Sequence, residues 1–419
     1  MYGGNYALEQ QSLKKPAYLY EIDFMRLFFI LGVLFNHVIN QFTANMVSDP
    51  TNTEYKLLSV SLIVHFTRMG FMFMTGVVLT LNYYHRHDWL TFYRKRFNGS
   101  IWPYLIWNAL LLVVTIIVGE TTQNTKSIFS WSGFGQQFVN IILHGSNFYM
   151  YYMLIIMQLY LIFPALMWLF HHWSTYHKRI LIISFFIQLV ELIIAKYVLP
   201  HVDTSNWIYW IKNYDINVFS YQFYFIFGTF TILHYHEITD WISKRIKFLL
   251  PTTILAAIGT VVYFCWYDRI VLGLTEGRSV SPHQPYTLIY AILVIVIILW
   301  VGQHYAMWYK NGMPKWLSSV VKNGARVSFG MYLDQTIGLL ILDETLQHIH
   351  VSNTTMLFLI PLGYAFVVAI SFGIAWFCYK VRPFGFLIGR PNWHPFKRAK
   401  KSKSSIKTTA KIGYDINTR

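Results

Sequence analysis

Arg26 and His37 are eleven residues apart in an otherwise apolar stretch that reads Glu21-Ile22-Asp23-Phe24-Met25-Arg26 and continues to Phe35-Asn36-His37. On a helix, eleven residues make three turns plus roughly 20°, so the two side chains leave one face about 16 Å apart along the axis. They cannot touch each other, but they can grip two parts of one elongated ligand. A histidine that titrates near pH 6.5 is suited to take a proton from a hydroxyl, as a general base does. Plainer readings stand beside this one. Arg26 can reach lipid phosphates or pair with Asp23 at i,i+3, and His37 can hydrogen-bond a neighbouring helix.

Other polar groups interrupt apolar runs. An ionisable side chain at the centre of a bilayer costs at least about 2.5 kcal/mol and by default marks function. Arg68 and Asp334 fall near the same depth in their runs, so they are expected to pair, with His65 one turn before Arg68 in the same cluster or bonded to a backbone carbonyl. Asn36 and Asn40 can orient or stabilise a reacting group, or bridge two helices as buried amides commonly do. Glu191 and Lys196 read as structural or interfacial. His144-Gly145-Ser146-Asn147 can position an acceptor or serve as ordinary loop. No metal-ligand set is assigned.

The elements that must carry these residues follow from composition. The chain has 419 residues, 55% hydrophobic and only 12% charged, yet its formal net charge is +16. Soluble domains carry about 25% charged residues, and 33 Phe, 30 Tyr and 15 Trp exclude a solvated coil. Ten runs meet the length of about 20 apolar residues that a spanning helix needs: 19–40, 57–81, 101–118, 148–170, 180–200, 217–235, 248–266, 286–307, 327–345 and 354–379. With the N-terminus inside, 26 of the 34 basic residues fall in inside segments, five in outside loops, and Arg26, Arg68 and Lys196 within spans. Cytoplasmic loops are enriched in Lys and Arg. The expectation is an all-α integral membrane protein, a bundle of about ten transmembrane helices with both termini cytoplasmic. Residues 1–18 form a cytoplasmic segment with no cleaved signal peptide, 19–380 the membrane domain, and 381–419 a disordered basic tail. Cys265 and Cys378 lie at opposite ends of their spans, too far apart for a disulfide.

Five stretches in order carry a family resemblance. The Arg-x10-His pair after Asp23 is similar to the first-span signature of acyltransferase family three, the integral membrane acyltransferases that modify cell-surface glycans. Thr67 to Gly76 resembles the aromatic-rich second span that ends in Ser-Gly, with Thr75 replacing the serine. Phe92-Tyr93-Arg94-Lys95-Arg96 leading to Trp102-Pro103-Tyr104 resembles the basic loop and Pro-Tyr opening of the third. Gln158-Leu159-Tyr160 to Pro164 and Val327-Ser328-Phe329-Gly330-Met331-Tyr332-Leu333 resemble the fourth-span and late patterns. The chain departs from the family where a histidine usually follows, at Asp334. It departs again where an Arg-x-x-Arg pair is represented by Arg96 and Gly99, and where a Glu is represented by Ile156 or Met157.

The resemblance implies transfer of an acyl group, most often acetyl, from cytoplasmic acyl-CoA to a hydroxyl of an extracytoplasmic glycan, polymer or small molecule. Acyl-CoA is the donor substrate, and no bound cofactor is implied. His37 is then the general base, or an acyl-histidine relay, and Arg26 stands at the entrance. Arg94, Lys95 and Arg96 hold the phosphate-rich head by charge-assisted contacts, with Asp23, Arg68, Asp334 and Tyr160 in support. The setting is a cell membrane, taken as the bacterial plasma membrane. The tail, with a net charge of +10 from Lys380 to Arg419, suits anionic headgroups rather than nucleic acid. Some family members carry a fused extracytoplasmic domain that completes the transfer. Here the chain completes it itself or passes the group to a separate partner. A transporter or flippase of a glycan or lipid-linked precursor, and a noncatalytic scaffold, are the competing readings.

Overall fold

The computed structural model describes residues 18–47, 53–118 and 131–390. These form helices and turns, with no strand among the described residues. In chain order the longer helices are α1 (Tyr20–Ala44), α2 (Thr53–Val64), α3 (Phe66–Tyr83), α4 (Trp89–Asn98), α5 (Ile101–Val118), α6 (Trp131–His144), α7 (Tyr151–His172), α8 (His177–Ile193), α9 (Gln222–Leu233), α10 (Tyr235–Val262), α11 (Pro285–Lys310), α12 (Lys315–Gln347) and α13 (Asn353–Lys380).

Among the described residues, eight helical stretches are long and apolar enough to cross a membrane, and they cover eight of the ten expected ranges. The range 217–235 falls on the shorter apolar helix Val218–Leu233. The range 327–345 falls within α12, whose Lys322, Arg326, Asp334, Asp343 and Glu344 dilute its hydropathy. Helix α12 tolerates them because it packs between α1 and α13 rather than against lipid alone.

Helix α1 is the pivot of the bundle. Its buried Met25, Phe29, Ile30, Leu34, Val38 and Phe42 recur at three- and four-residue steps, which gathers them on the stripe that packs against α3, α11, α12 and α13. Helices α3 and α9 meet backbone to backbone. A Cβ on Gly76 would stand 2.1 Å from the Phe225 carbonyl oxygen, and one on Gly228 would stand 2.0 Å from that of Phe73. Small residues allow such an approach where lipid gives helices no hydrophobic reason to associate. Beside them the Thr80 and Thr229 hydroxyls bond at 3.0 Å.

Contacts sort the helix ends into two groups. At one end Tyr20 stacks on Tyr309 at 4.0 Å and Tyr84 on His171 at 4.1 Å, while His177 Nδ1 and His234 Nε2 approach to 3.0 Å. At the other, Asn45 donates to Asp343 at 2.8 Å and Ser59 meets Cys265 at 3.3 Å. Cys265 and Cys378 are both free thiols.

Three elements differ from expectation. The amphipathic helix α6 occupies part of 119–147, which in sequence reads as a loop. The second span, read as one run, breaks at His65 into α2 and α3. Residues 381–390, assigned to the tail, do not extend into solvent: Phe384–Ile388 forms a helical turn that packs on α5, α12 and α13, because its apolar side chains have a surface to bury. The remainder of the tail, 391–419, lies outside the described residues.

Candidate active site

The break at His65 builds the centre of the site. The His65 amide donates to the Leu62 carbonyl at 3.2 Å and the Arg68 amide to the His65 carbonyl at 3.4 Å. This tight turn directs both side chains inward. They join His37, Tyr149, Tyr151 and Tyr332 around a cavity of about 40 Å³ whose lining carries no carboxylate. The His37 ring lies 3.6 Å from the Tyr149 ring at an angle of 30°. Tyr149 is itself held by the Tyr332 hydroxyl, which donates to its carbonyl at 2.5 Å. His37 Nδ1 is buried without a hydrogen-bond partner.

Arg68 does not pair with Asp334. Its guanidinium carbon lies 5.3 Å from the Tyr151 ring centroid, with the Tyr221 hydroxyl in hydrogen-bonding reach and Asp215 nearby. Tyr221 in turn donates to the Asp215 carbonyl at 3.0 Å and meets His283 Nε2 at 3.2 Å. Asp334 lies against Ser371 of α13. Counting along a span sets depth but not rotation, and Asp334 is on the face of α12 turned to α13.

His65 and Arg68 also wall a second, larger cavity of about 950 Å³. Asn40, Lys196, Lys212, Arg278, His283 and Gln284 are among its polar lining. Asn36 and Asn40 fasten its side: Asn36 donates to the Ser61 carbonyl and hydroxyl, both at 2.9 Å, and Ser61 donates to Asn40 at 2.9 Å. Both amides therefore bridge α1 to α2. Glu191 and Lys196 are both held by neighbouring elements, but not by each other. Glu191 accepts from Ser220 and Gln188. Lys196 pairs with buried Asp268 at 2.5 Å and donates to Gln284 at 2.7 Å. His144 packs against Tyr209 and Asn147 donates to the Asn108 carbonyl at 3.3 Å.

Arg26 stands at the opposite end of the α1 face. Asp23 accepts a hydrogen bond from Tyr18, and burial together with that carboxylate pushes the Tyr18 hydroxyl up to about 12. Arg96 and Arg390 are within electrostatic reach of Arg26. Asp88 caps α4, accepting from the Thr91 amide at 3.1 Å, and Thr91 holds its carboxyl below the usual range. The cap starts the helix that orients the basic run: Arg94 and Lys95 are exposed, while Arg96 turns in to lie 4.9 Å from the Tyr83 ring centroid. Tyr160 packs on Phe92 and Phe97 and so braces the same helix.

The sequence profile of the acyltransferase 3 family, an acyltransferase domain, matches residues 19–380. The chain belongs to that family. No curated protein and no solved structure matches it.

Every residue around the small cavity of this acyltransferase lies inside the matched range. Reading the sequence missed Tyr149, Tyr151, Tyr221 and His283. The first two open the fourth span, where aromatic residues ordinarily mark the membrane interface, and that habit concealed their inward role. Tyr221 and His283 precede later helices, and only the fold brings them to Arg68.

Proposed function

We propose that this membrane acyltransferase carries an acyl group, most simply acetyl, from cytoplasmic acyl-CoA to a hydroxyl of an extracytoplasmic cell-envelope glycan or polymer. His37 is the general base. One observation carries the reading: His37 sits in a small cavity that shares His65 and Arg68 with a large polar one, while Arg26 lies three turns away on the same helix face. Acceptor and donor can then approach His37 from opposite ends. The basic excess at the Arg26 end supports a cytoplasmic location for both termini, with all ten helical ranges spanning a cell membrane, taken as bacterial.

In the reaction the acceptor hydroxyl oxygen bonds to the thioester carbonyl carbon as His37 takes its proton. The carbonyl oxygen gains negative charge beside the permanent cation of Arg68, an arrangement of the kind that stabilises such oxyanions. Collapse breaks the carbon–sulfur bond, and the coenzyme thiolate leaves and recovers the proton. Arg26 and Arg96 hold the phosphate-rich head, with Arg94 and Lys95 at the rim. The acceptor occupies the larger cavity directly, or a separate extracytoplasmic partner receives the group there. The basic tail meets anionic lipid.

The test uses purified protein and radiolabelled acetyl-CoA. His37→Ala should lower acyl transfer or hydrolysis by about 10²–10⁴-fold, the usual contribution of a general base, with its thermal unfolding unchanged. Wild-type protein that moves a glycan across vesicles without consuming acetyl-CoA would instead establish a carrier.

A further inference from the structure

The stretch that resembles an Arg-x-x-Arg pair ends here in Gly99, without a second cation. Gly99 closes α4 and lies against Gly389. A Cβ on Gly389 would stand 2.3 Å from the Gly99 carbonyl oxygen, and Gly389 has φ +65°. Contact this close between residues 290 positions apart requires the turn before Gly389 to be firmly seated. Trp107 Nε1 donates to the Leu387 carbonyl at 2.9 Å. Ile388 is only 2% exposed and packs where a Cβ on Gly330 would come within 2.8 Å of it. The Arg390 amide donates to the Gly385 carbonyl at 2.8 Å.

That seat fixes the start of Arg390, whose side chain remains exposed to water. Asp23, Tyr18 and Arg326 are within its electrostatic reach, and Arg26 lies within that of both Arg96 and Arg390. Asp23 is thus within reach of Arg26 and Arg390, and Arg96 and Arg326 are each within reach of one of those two arginines. Arg326 is steadied 5.5 Å from the Tyr379 ring centroid, and Arg96 keeps a buried Nε with no hydrogen-bond partner. Like charges assembled this way repel one another unless a polyanion joins them. Arginine is the side chain that meets phosphate in bidentate fashion.

We infer that Arg390, carried back to the α4 terminus by the seated turn, supplies the cation that Gly99 lacks and completes a four-arginine site for the phosphate groups of the donor's nucleotide head. This rests on the acyl-CoA reading above. Gly389 is then part of the arrangement, since its bare backbone lies against the Gly99 carbonyl and brings Arg390 into place.

The experiment titrates coenzyme A into the full chain in detergent and measures steady-state kinetics with acetyl-CoA. Arg390→Gln should weaken coenzyme A binding and raise KM for acetyl-CoA by about tenfold or more, the worth of one charge-assisted contact, with kcat little changed. Arg390→Lys should recover part of the loss, and Lys244→Gln, an exposed charge on α10, should change neither quantity. Coenzyme A binding by Arg390→Gln within twofold of wild type overturns the inference and leaves the donor reading standing. Failure of the wild type to bind coenzyme A overturns both. Adding phosphatidylglycerol separates the two sources of phosphate: lipid that displaces coenzyme A only when Arg390 is present would assign the cluster to headgroups and overturn the nucleotide site.

Discussion

Gly76→Ala adds one carbon where α3 and α9 have no room for it. That carbon would sit 2.1 Å from the Phe225 carbonyl oxygen, against a limit near 3.0 Å, and the obstacle is backbone that no rotamer change can move aside. The helices must part by roughly 1 Å, and overpacking of this kind costs about 1–3 kcal/mol. The upper half of that range is expected, because separation also stretches the Thr80–Thr229 hydrogen bond. Parting also carries Tyr221, which immediately precedes α9, away from Arg68 on α3, so transfer should fall along with stability. Gly228→Ala meets the Phe73 carbonyl in the same way. The double variant should cost less than the two singles added, since one displacement relieves both clashes. Gly373→Ala on α13, with nothing within 4 Å, is the control and should be neutral or slightly stabilising. Thermal unfolding in detergent reads all four. A Gly76→Ala protein as stable as wild type would refute the close approach.

Lys196→Met should destabilise by about 3–5 kcal/mol, because it strands the Asp268 carboxylate in a site where the paired side chains are 3% and 0% exposed. Adding Asp268→Leu should restore most of the loss, and a double variant as unstable as the single would contradict this account. Tyr149→Phe, which keeps the ring against His37, should retain transfer. Tyr149→Ala should lower kcat while leaving KM for acetyl-CoA near wild type, and equal activity in the two variants would mean that the stacked ring does not position the imidazole.

Much of the fold is legible because the apolar stripe of α1 and the length of most spans are written in adjacent residues. The shared face of Arg26 and His37 follows from helix periodicity alone, and α1 runs unbroken through both. The break at His65 is not legible in this way: Leu62-Ile63-Val64-His65-Phe66 holds neither proline nor glycine, so only tertiary packing marks it. Helix α12 defeats a hydropathy reading for a related reason. Its mid-helix Asp334, Gln335 and Thr336 are buried among neighbouring helices while Lys322 and Glu344 are exposed nearer its ends, and a rule calibrated on lipid contact undervalues it. The surroundings of Arg68 are not legible in the sequence because depth is countable and rotation is not. In sequence Arg390 reads as part of a solvated tail, since its charge run resembles one and its apolar anchors, Phe384 to Ile388, are few.

The small cavity has a consequence for the length of acyl chain the enzyme can accept. Its volume of about 40 Å³ is near three times the 10–15 Å³ that one water requires, which suits a group of two or three heavy atoms. An acetyl group has three. A succinyl group has four more and does not fit within that volume beside the rings of Tyr149 and Tyr332, the first against His37 and the second bonded to the Tyr149 carbonyl. For the donor proposed here, the aromatic wall beside the proposed base therefore favours a short acyl group at the reacting position, and a longer chain has to extend past His65 and Arg68 toward the larger cavity.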